Sequence, residues 1–223
     1  MYQLYGCRLT RSLIVQMVLA EGSIDYELRQ VDIFKDEHRS PEFLALNPAG
    51  LVPVLIKPNG EAVYETPAIN LYLADHHRLS HLAPAIDEPE RSRFLSALFF
   101  LSDDLEPALK RYFYPQRYVL RDGDESEMRR VSLQQVLDRM AVIEQQLQQN
   151  GPYQLGSRFS LIDIILCFWA EYLNSEQALG SCPAIRRCLG LVMNRPRLRP
   201  FFDELIECRS EYLQTQADGE GEE

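Results

Sequence analysis

Two short stretches combine residue types in the way a site that recognises extended backbone would need. In Asn47-Pro48-Ala49-Gly50-Leu51-Val52-Pro53-Val54-Leu55 a proline enters an apolar strand and removes one ladder donor. Such a proline is tolerated when the bond before it is cis and the strand edge serves another purpose. The N–H and C=O of Val52 are then available to an extended peptide through strand-like pairing. Glu65-Thr66-Pro67-Ala68-Ile69 follows, with a proline suited to the first turn of a helix. Free N–H groups and the positive end of the helix dipole favour a carboxylate there. Thr66 is placed to hold that carboxylate while Glu65 faces an amine. The plainer alternatives are a rigid turn on an edge strand at Val52-Pro53 and a simple helix cap at Glu65 or Thr66.

The elements that must position these residues alternate in the first third of the chain. Gln3-Leu4-Tyr5 reads as a strand, and Leu13, Ile14, Met17, Val18 and Ala20 recur at helical spacing up to Gly22. Tyr26 to Val31, Val52 to Ile56 and Ala62 to Tyr64 read as further strands, the last two joined through Pro58-Asn59-Gly60, a strong hairpin signal. A helix over Glu65 to Asp75 completes the order strand, helix, strand, helix, strand, strand, helix. From 77 to 89 the pattern breaks into a linker, and beyond it only helical signals remain. These fall at Glu90 to Tyr114, Ser126 to Gln149, Ser160 to Leu173, Pro183 to Val192 and Arg197 to Leu213, with Val131, Val136, Leu137, Met140, Ile143 and Leu147 as the apolar pattern of the second. The expected domains are 1–76, α/β, and 90–213, all-helical, followed by a disordered acidic tail at 214–223.

Composition narrows the function classes. The 223 residues carry a net charge of -10, which argues against nucleic acid as a partner. No run approaches the ~18 apolar residues of a membrane span, and the start lacks signal-peptide character, so a cytoplasmic location without membrane attachment is expected. The five cysteines are scattered, with no Cys-x-x-Cys pair and no histidine at zinc spacing, and support neither a disulfide framework nor a metal site. Cys167 reads as a small core residue.

Taken together, Asn47-Pro48-x-Gly50-x-Val52-Pro53-Val54-Leu55 and Glu65-Thr66-x-Ala68-Ile69-x-x-Tyr72-Leu73 resemble the glutathione-binding core of the soluble glutathione transferases. Asp36 to Leu44 is similar to plant phi-class members. The resemblance implies a thioredoxin-like N-terminal domain, an all-helical C-terminal domain, a homodimer and glutathione as co-substrate. It implies that Val52 pairs with the cysteinyl backbone of glutathione ahead of a cis Pro53, that Glu65 and Thr66 hold the γ-glutamyl end, and that His38 and Arg39 reach the glycine carboxylate. Gly156 to Asp163 resembles the family's capping motif: Ser160 and Asp163 satisfy each other's N–H groups and Phe159 staples onto Ile164.

A free thiol has a pKa of ~8.5, and each unit of lowering takes ~1.4 kcal/mol of thiolate stabilisation, which a hydroxyl at a helix start can supply. An ungapped register from Leu4-Tyr5-Gly6 puts Thr10 where phi-class members carry serine; other registers put Cys7 or Tyr5 at the catalytic position, and Ser12 stays open as a fourth group for thiol contact. Tyr112, Tyr114 and Tyr118, with Trp169 and Tyr172, form the candidate pocket for a small hydrophobic electrophile; a core role is the plainer alternative. Three functions follow: a detoxifying transferase acting on an electrophile or peroxide, a glutathione-binding interaction protein without fast chemistry, and thiol-disulfide exchange through Cys7.

Overall fold

A computed structural model describes residues 1–121 and 123–219, the stretch 212–219 as backbone. By contact the chain forms two compact units, Met1–Ala83 together with the segment from Met193 onward, and Pro84–Val192.

The first unit is built on a four-stranded sheet in the order β2-β1-β3-β4. β1 (Tyr2–Gly6) runs parallel to β2 (Tyr26–Gln30) and antiparallel to β3 (Val54–Ile56), which pairs antiparallel with β4 (Ala62–Tyr64). This is the expected thioredoxin-like order. Helix α1 (Ser12–Glu21) crosses from β1 to β2, and Leu13, Ile14, Val15, Met17, Val18 and Leu19 are all buried. It packs against α3 (Thr66–His76), whose Ile69 and Leu73 are buried with Leu4 and Leu55. Each such side chain contributes about 1.5–3 kcal/mol. Beyond β2 the chain turns through two short 3-10 segments, Ile33–Lys35 and Glu37–Arg39, into α2 (Pro41–Leu46), whose Phe43 packs with Val31 and Val54. Strand β3 is shorter than expected: Val52 and Pro53, joined by a cis bond, lie outside the ladder, and Pro53 has no N–H to donate to it.

The second unit is helical: α4 (Arg91–Phe99), a π-helical turn at Phe100–Leu105, α5 (Glu106–Phe113), α6 (Glu125–Asn150), α7 (Leu161–Leu173), α8 (Glu176–Leu179) and α9 (Pro183–Met193), whose last residue falls in the first unit. Helix α7 is buried almost all round, as a central helix must be. The core face of α6 is Ser132, Val136, Met140, Ile143 and Leu147, with steps of three and four. Val131, part of the expected apolar pattern, lies one position off that face and is 40% exposed.

The last helix, α10 (Arg199–Gly219), belongs by contact to the first unit, not to a second domain at 90–213. The cause is ionic. Arg195 donates two hydrogen bonds of 2.8 Å to the carboxylate of Glu21, which is only 5% exposed, and Arg197 donates to the Glu21 carbonyl at 2.8 Å. Arg8 reaches Glu204 and Glu207 at 3.7 and 3.9 Å. The helix continues to Gly219, into the stretch 214–223 expected as a disordered tail, because extending a helix already nucleated adds one hydrogen bond per residue fixed. The remainder of that tail, 220–223, lies outside the described residues.

Candidate functional site

Strand register brings the separate sequence stretches to one end of the sheet. Tyr5 pairs with Val54 across β1 and β3, so the chain leaves β1 after Gly6 at the same end of the sheet at which Val52 and Pro53 lead into β3. Val54 pairs with Tyr64 across β3 and β4, so Glu65 and Thr66 leave the sheet at that end too. β2 runs parallel to β1, and the Val31 N–H donates to the Gly6 carbonyl at 2.8 Å, so the segment leading to His38 and Arg39 leaves from this same end.

Asn47 builds the turn that delivers Val52. It is 2% exposed, its Nδ2 donates to the Leu51 carbonyl at 2.8 Å, and its Oδ1 accepts from the Ala49 N–H at 3.1 Å. Gly50 has φ +61, and a Cβ on it would lie 2.7 Å from Arg39 Nη1 and 3.0 Å from the His38 carbonyl. Glycine therefore permits both the left-handed turn and its close seat on the His38-Arg39 segment. Arg39 is exposed, with Nη1 3.4 Å from the Ala49 carbonyl, and Nδ1 of His38 is buried without a hydrogen-bond partner. The motif was legible in the sequence, but the scaffolding role of Asn47 was missed; its signal was an Asx residue directly before a turn.

The head of α3 is unusual in what it leaves open. Glu65 is exposed with φ 69 and ψ 118, and its side chain makes no capping bond. Thr66 is 3% exposed and its Oγ1 has no partner; one turn on, both polar side-chain atoms of the fully buried Asn70 are likewise unpaired. The simple cap offered as the plainer alternative is thus not made. A non-glycine residue at such a φ costs about 1–3 kcal/mol and persists where the surroundings hold it.

At the head of α1 the four candidates for thiol contact occupy different environments. The ring of Tyr5 packs edge-on against Phe43, 6.3 Å between centroids. Leu9, with φ 56, bends the loop so that Thr10 returns to Cys7. The Cys7 carbonyl accepts from Thr10 Oγ1 at 2.6 Å and from Ser12 Oγ at 2.8 Å, and the Cys7 N–H donates to Ser12 Oγ at 3.2 Å. Cys7 and Thr10 are partly exposed, whereas Ser12 is 0% exposed. The Ser12 hydroxyl is thus taken up by the Cys7 backbone and Thr10, whereas Thr10 and Cys7 reach the surface.

In the helical unit, Tyr114 and Trp169 are brought together through Tyr172. The Tyr114 and Tyr172 hydroxyls are 3.2 Å apart, and the Trp169 and Tyr172 rings meet edge-on at 5.7 Å. Arg117 lies over the Tyr114 ring at 4.5 Å, Trp169 Nε1 is buried without a partner, Tyr112 faces Phe113 and Arg129, and Tyr118 is 45% exposed.

Two other helix heads in this unit are satisfied internally. Asp163 is 0% exposed; its Oδ2 accepts from the Ser160 N–H at 2.8 Å and from Ser160 Oγ at 3.1 Å, and its Oδ1 accepts from the Gln154 N–H at 2.9 Å. Burial pushes its pKa up to about 6, against the opposing pull of those hydrogen bonds. Phe159 meets Tyr153 edge-on at 5.7 Å. The buried Glu144 of α6 accepts from the N–H groups of Ala184 and Ile185 at 2.9–3.0 Å and so caps α9.

Comparison with known proteins agrees on one family. Glutathione S-transferase, N-terminal domain, matches residues 11–76, and glutathione S-transferase, C-terminal domain, matches residues 104–204. The chain is 31% identical over 199 residues to maleylacetoacetate isomerase of Pseudomonas aeruginosa, covering 86% of this chain and 91% of that protein. It is 31% identical over 175 residues to glutathione S-transferase 1 of Schizosaccharomyces pombe, covering 74% and 72%. Among solved structures, a glutathione transferase homologue from Sulfitobacter with bound glutathione superposes with a TM-score of 0.77 at 25% identity, over 92% of this chain and 98% of that one.

Proposed function

Because the chain belongs to the glutathione S-transferase family, we propose that it binds glutathione at the sheet end described above and holds the thiol ionised for attack on a small hydrophobic electrophile or a peroxide. The head of α3 carries this reading. Thr66 Oγ1 is buried with no partner, and an unpaired buried hydroxyl is costly unless a ligand completes it. A γ-glutamyl carboxylate supplies the acceptor, with the helix dipole behind it and Glu65 facing the ligand's amine. Val52 pairs with the cysteinyl backbone beside cis Pro53, and His38 and Arg39 take the glycine carboxylate.

Thr10, in the phi-like position and partly exposed, is the hydroxyl donor to the thiol, while the Ser12 hydroxyl is bonded to the Cys7 backbone. The thiol proton leaves to solvent and the Thr10 O–H stabilises the sulfur anion. Cys7 is the alternative reactive group, for thiol exchange. The aromatic group of Tyr112, Tyr114, Tyr118 and Trp169 receives the electrophile, and the protein works as a cytoplasmic homodimer.

A second reading is favoured by the isomerase name of the Pseudomonas relative. The same thiolate adds to an activated alkene, the carbon skeleton rotates, and the C–S bond breaks to release glutathione unchanged. Calorimetry with glutathione, then assays with chloro-dinitrobenzene, a mixed disulfide and a cis-configured unsaturated diacid, separate the readings. Transfer consumes glutathione, and isomerisation does not. Binding without turnover in any assay leaves the interaction protein, and absence of binding removes all of them.

A further inference from the structure

Three oxygens at the head of α1 form a triangle with fewer protons than edges. Thr10 Oγ1 lies 2.6 Å and Ser12 Oγ 2.8 Å from the Cys7 carbonyl, and the two hydroxyls are 2.7 Å apart. Each hydroxyl carries one proton, so two protons serve three short contacts. We propose that Ser12 is a positioning residue: by holding the Cys7 carbonyl it leaves the single proton of Thr10 free to turn to a bound thiolate. The proposal rests on the reading of Thr10 as the thiol's donor.

The geometry assigns the two hydroxyls different work. Ser12 is 0% exposed, donates to the Cys7 carbonyl and accepts from the Cys7 N–H at 3.2 Å, so it closes a ring around that residue's backbone. Thr10 is partly exposed, and its oxygen is also 3.4 Å from the Ser12 N–H, which steadies it from behind. When the Thr10 proton turns outward, the Cys7 carbonyl keeps the Ser12 bond. Without Ser12 the same turn would strip that carbonyl of both hydroxyls, and the lost bond would oppose thiolate stabilisation. Gly6 makes the seat possible: a Cβ there would stand 2.5 Å from Ser12 Cβ and 2.7 Å from its Oγ.

The test is the thiolate absorbance of the glutathione complex, titrated against pH for the full-length wild type, Thr10→Val, Ser12→Ala and the double variant, with glutathione affinity measured alongside. Thr10→Val raises the bound thiol's pKa toward its free value of ~8.5. Ser12→Ala raises it by about half a unit to one unit, a ~3–10-fold loss of thiolate at fixed pH, the size of one neutral hydrogen bond. Measured at a pH below the bound thiol's pKa, glutathione affinity stays within about twofold, and above it affinity falls in step with the lost thiolate, as linkage requires. In the Thr10→Val background Ser12→Ala adds nothing, because no proton remains to be freed.

An equal shift in both backgrounds, or no shift in Ser12→Ala beside a shifted Thr10→Val, overturns the proposal and leaves Thr10 as donor. No shift in Thr10→Val overturns the donor reading itself. If Ser12→Ala melts below the assay temperature, Ser12→Cys, which keeps the volume and a weaker donor, decides the matter: a smaller rise supports the proposal and an unchanged titration overturns it.

Discussion

The heads of α3 and α7 are built from similar residue types and do opposite things. At α7, Ser160 is extended, with φ -154, and Asp163 gathers three protein donors. At α3, Glu65 sits at φ 69 and the Thr66 hydroxyl is buried without a partner. The first head uses its polar groups within the fold and the second leaves them unpaired. Helix α9, capped by Glu144, sides with the first. A helix start is therefore read as a binding element by what it fails to satisfy rather than by its dipole, which every helix has.

Breaking the satisfied head should have the largest effect. Asp163→Ala strands buried N–H groups and is expected to cost about 3 kcal/mol of stability, more than the ~1 kcal/mol of an ordinary cap, with glutathione affinity unchanged. A fall in affinity at an unaltered melting temperature would reverse the assignment. The same residue gives a pH test. Its folded pKa of about 6 lies above the ordinary 3.8, so the native state takes up the proton first as pH falls. Its contribution to stability is fully present below 3.8 and is lost as pH rises through about 6. The stability gap between wild type and Asp163→Asn, followed by denaturant melts, should widen as pH is lowered across that window.

At the open head the signs differ. Thr66→Val is expected to weaken glutathione binding by ~10–100-fold, the loss of a charge-assisted hydrogen bond, while stability holds or rises because an unpaired buried hydroxyl is gone. Calorimetry and a melt on the same sample decide it, and a destabilised variant with full affinity would make Thr66 a structural residue. Smallest is Glu65→Gly. Relief of the positive φ, offset by glycine's entropy, should leave a net stability gain of up to about 1 kcal/mol, with weaker glutathione binding. A loss of stability would show that the backbone at Glu65 is not strained.

What the sequence made legible was local. The Asn59-Gly60 hairpin, the proline in the first turn of α3 and the Ser160-Asp163 box are each written within a few residues, and the structure places all of them as expected. The pairing of Arg195 with Glu21 spans 174 positions and left no periodic trace, so the contact of the chain's last segment with the first unit was not legible. The burial of Ser12 was not legible for another reason. Helix α1 is buried on nearly every side, so its apolar pattern marks no solvent face from which a serine's exposure could be judged. The four-residue α8 is too short to show a period.

The tie between Glu21 and Arg195 also sets an order of events during synthesis. Translation at about 5–20 residues per second ordinarily lets the first domain finish first. Here the first unit encloses the second along the chain, and Glu21 stays without its cation until Arg195 has been made. The helical insert, Pro84–Val192, is complete in sequence before the unit that brackets it. The thioredoxin-like part, begun first on the ribosome, receives this charged partner only after the helical insert has been made.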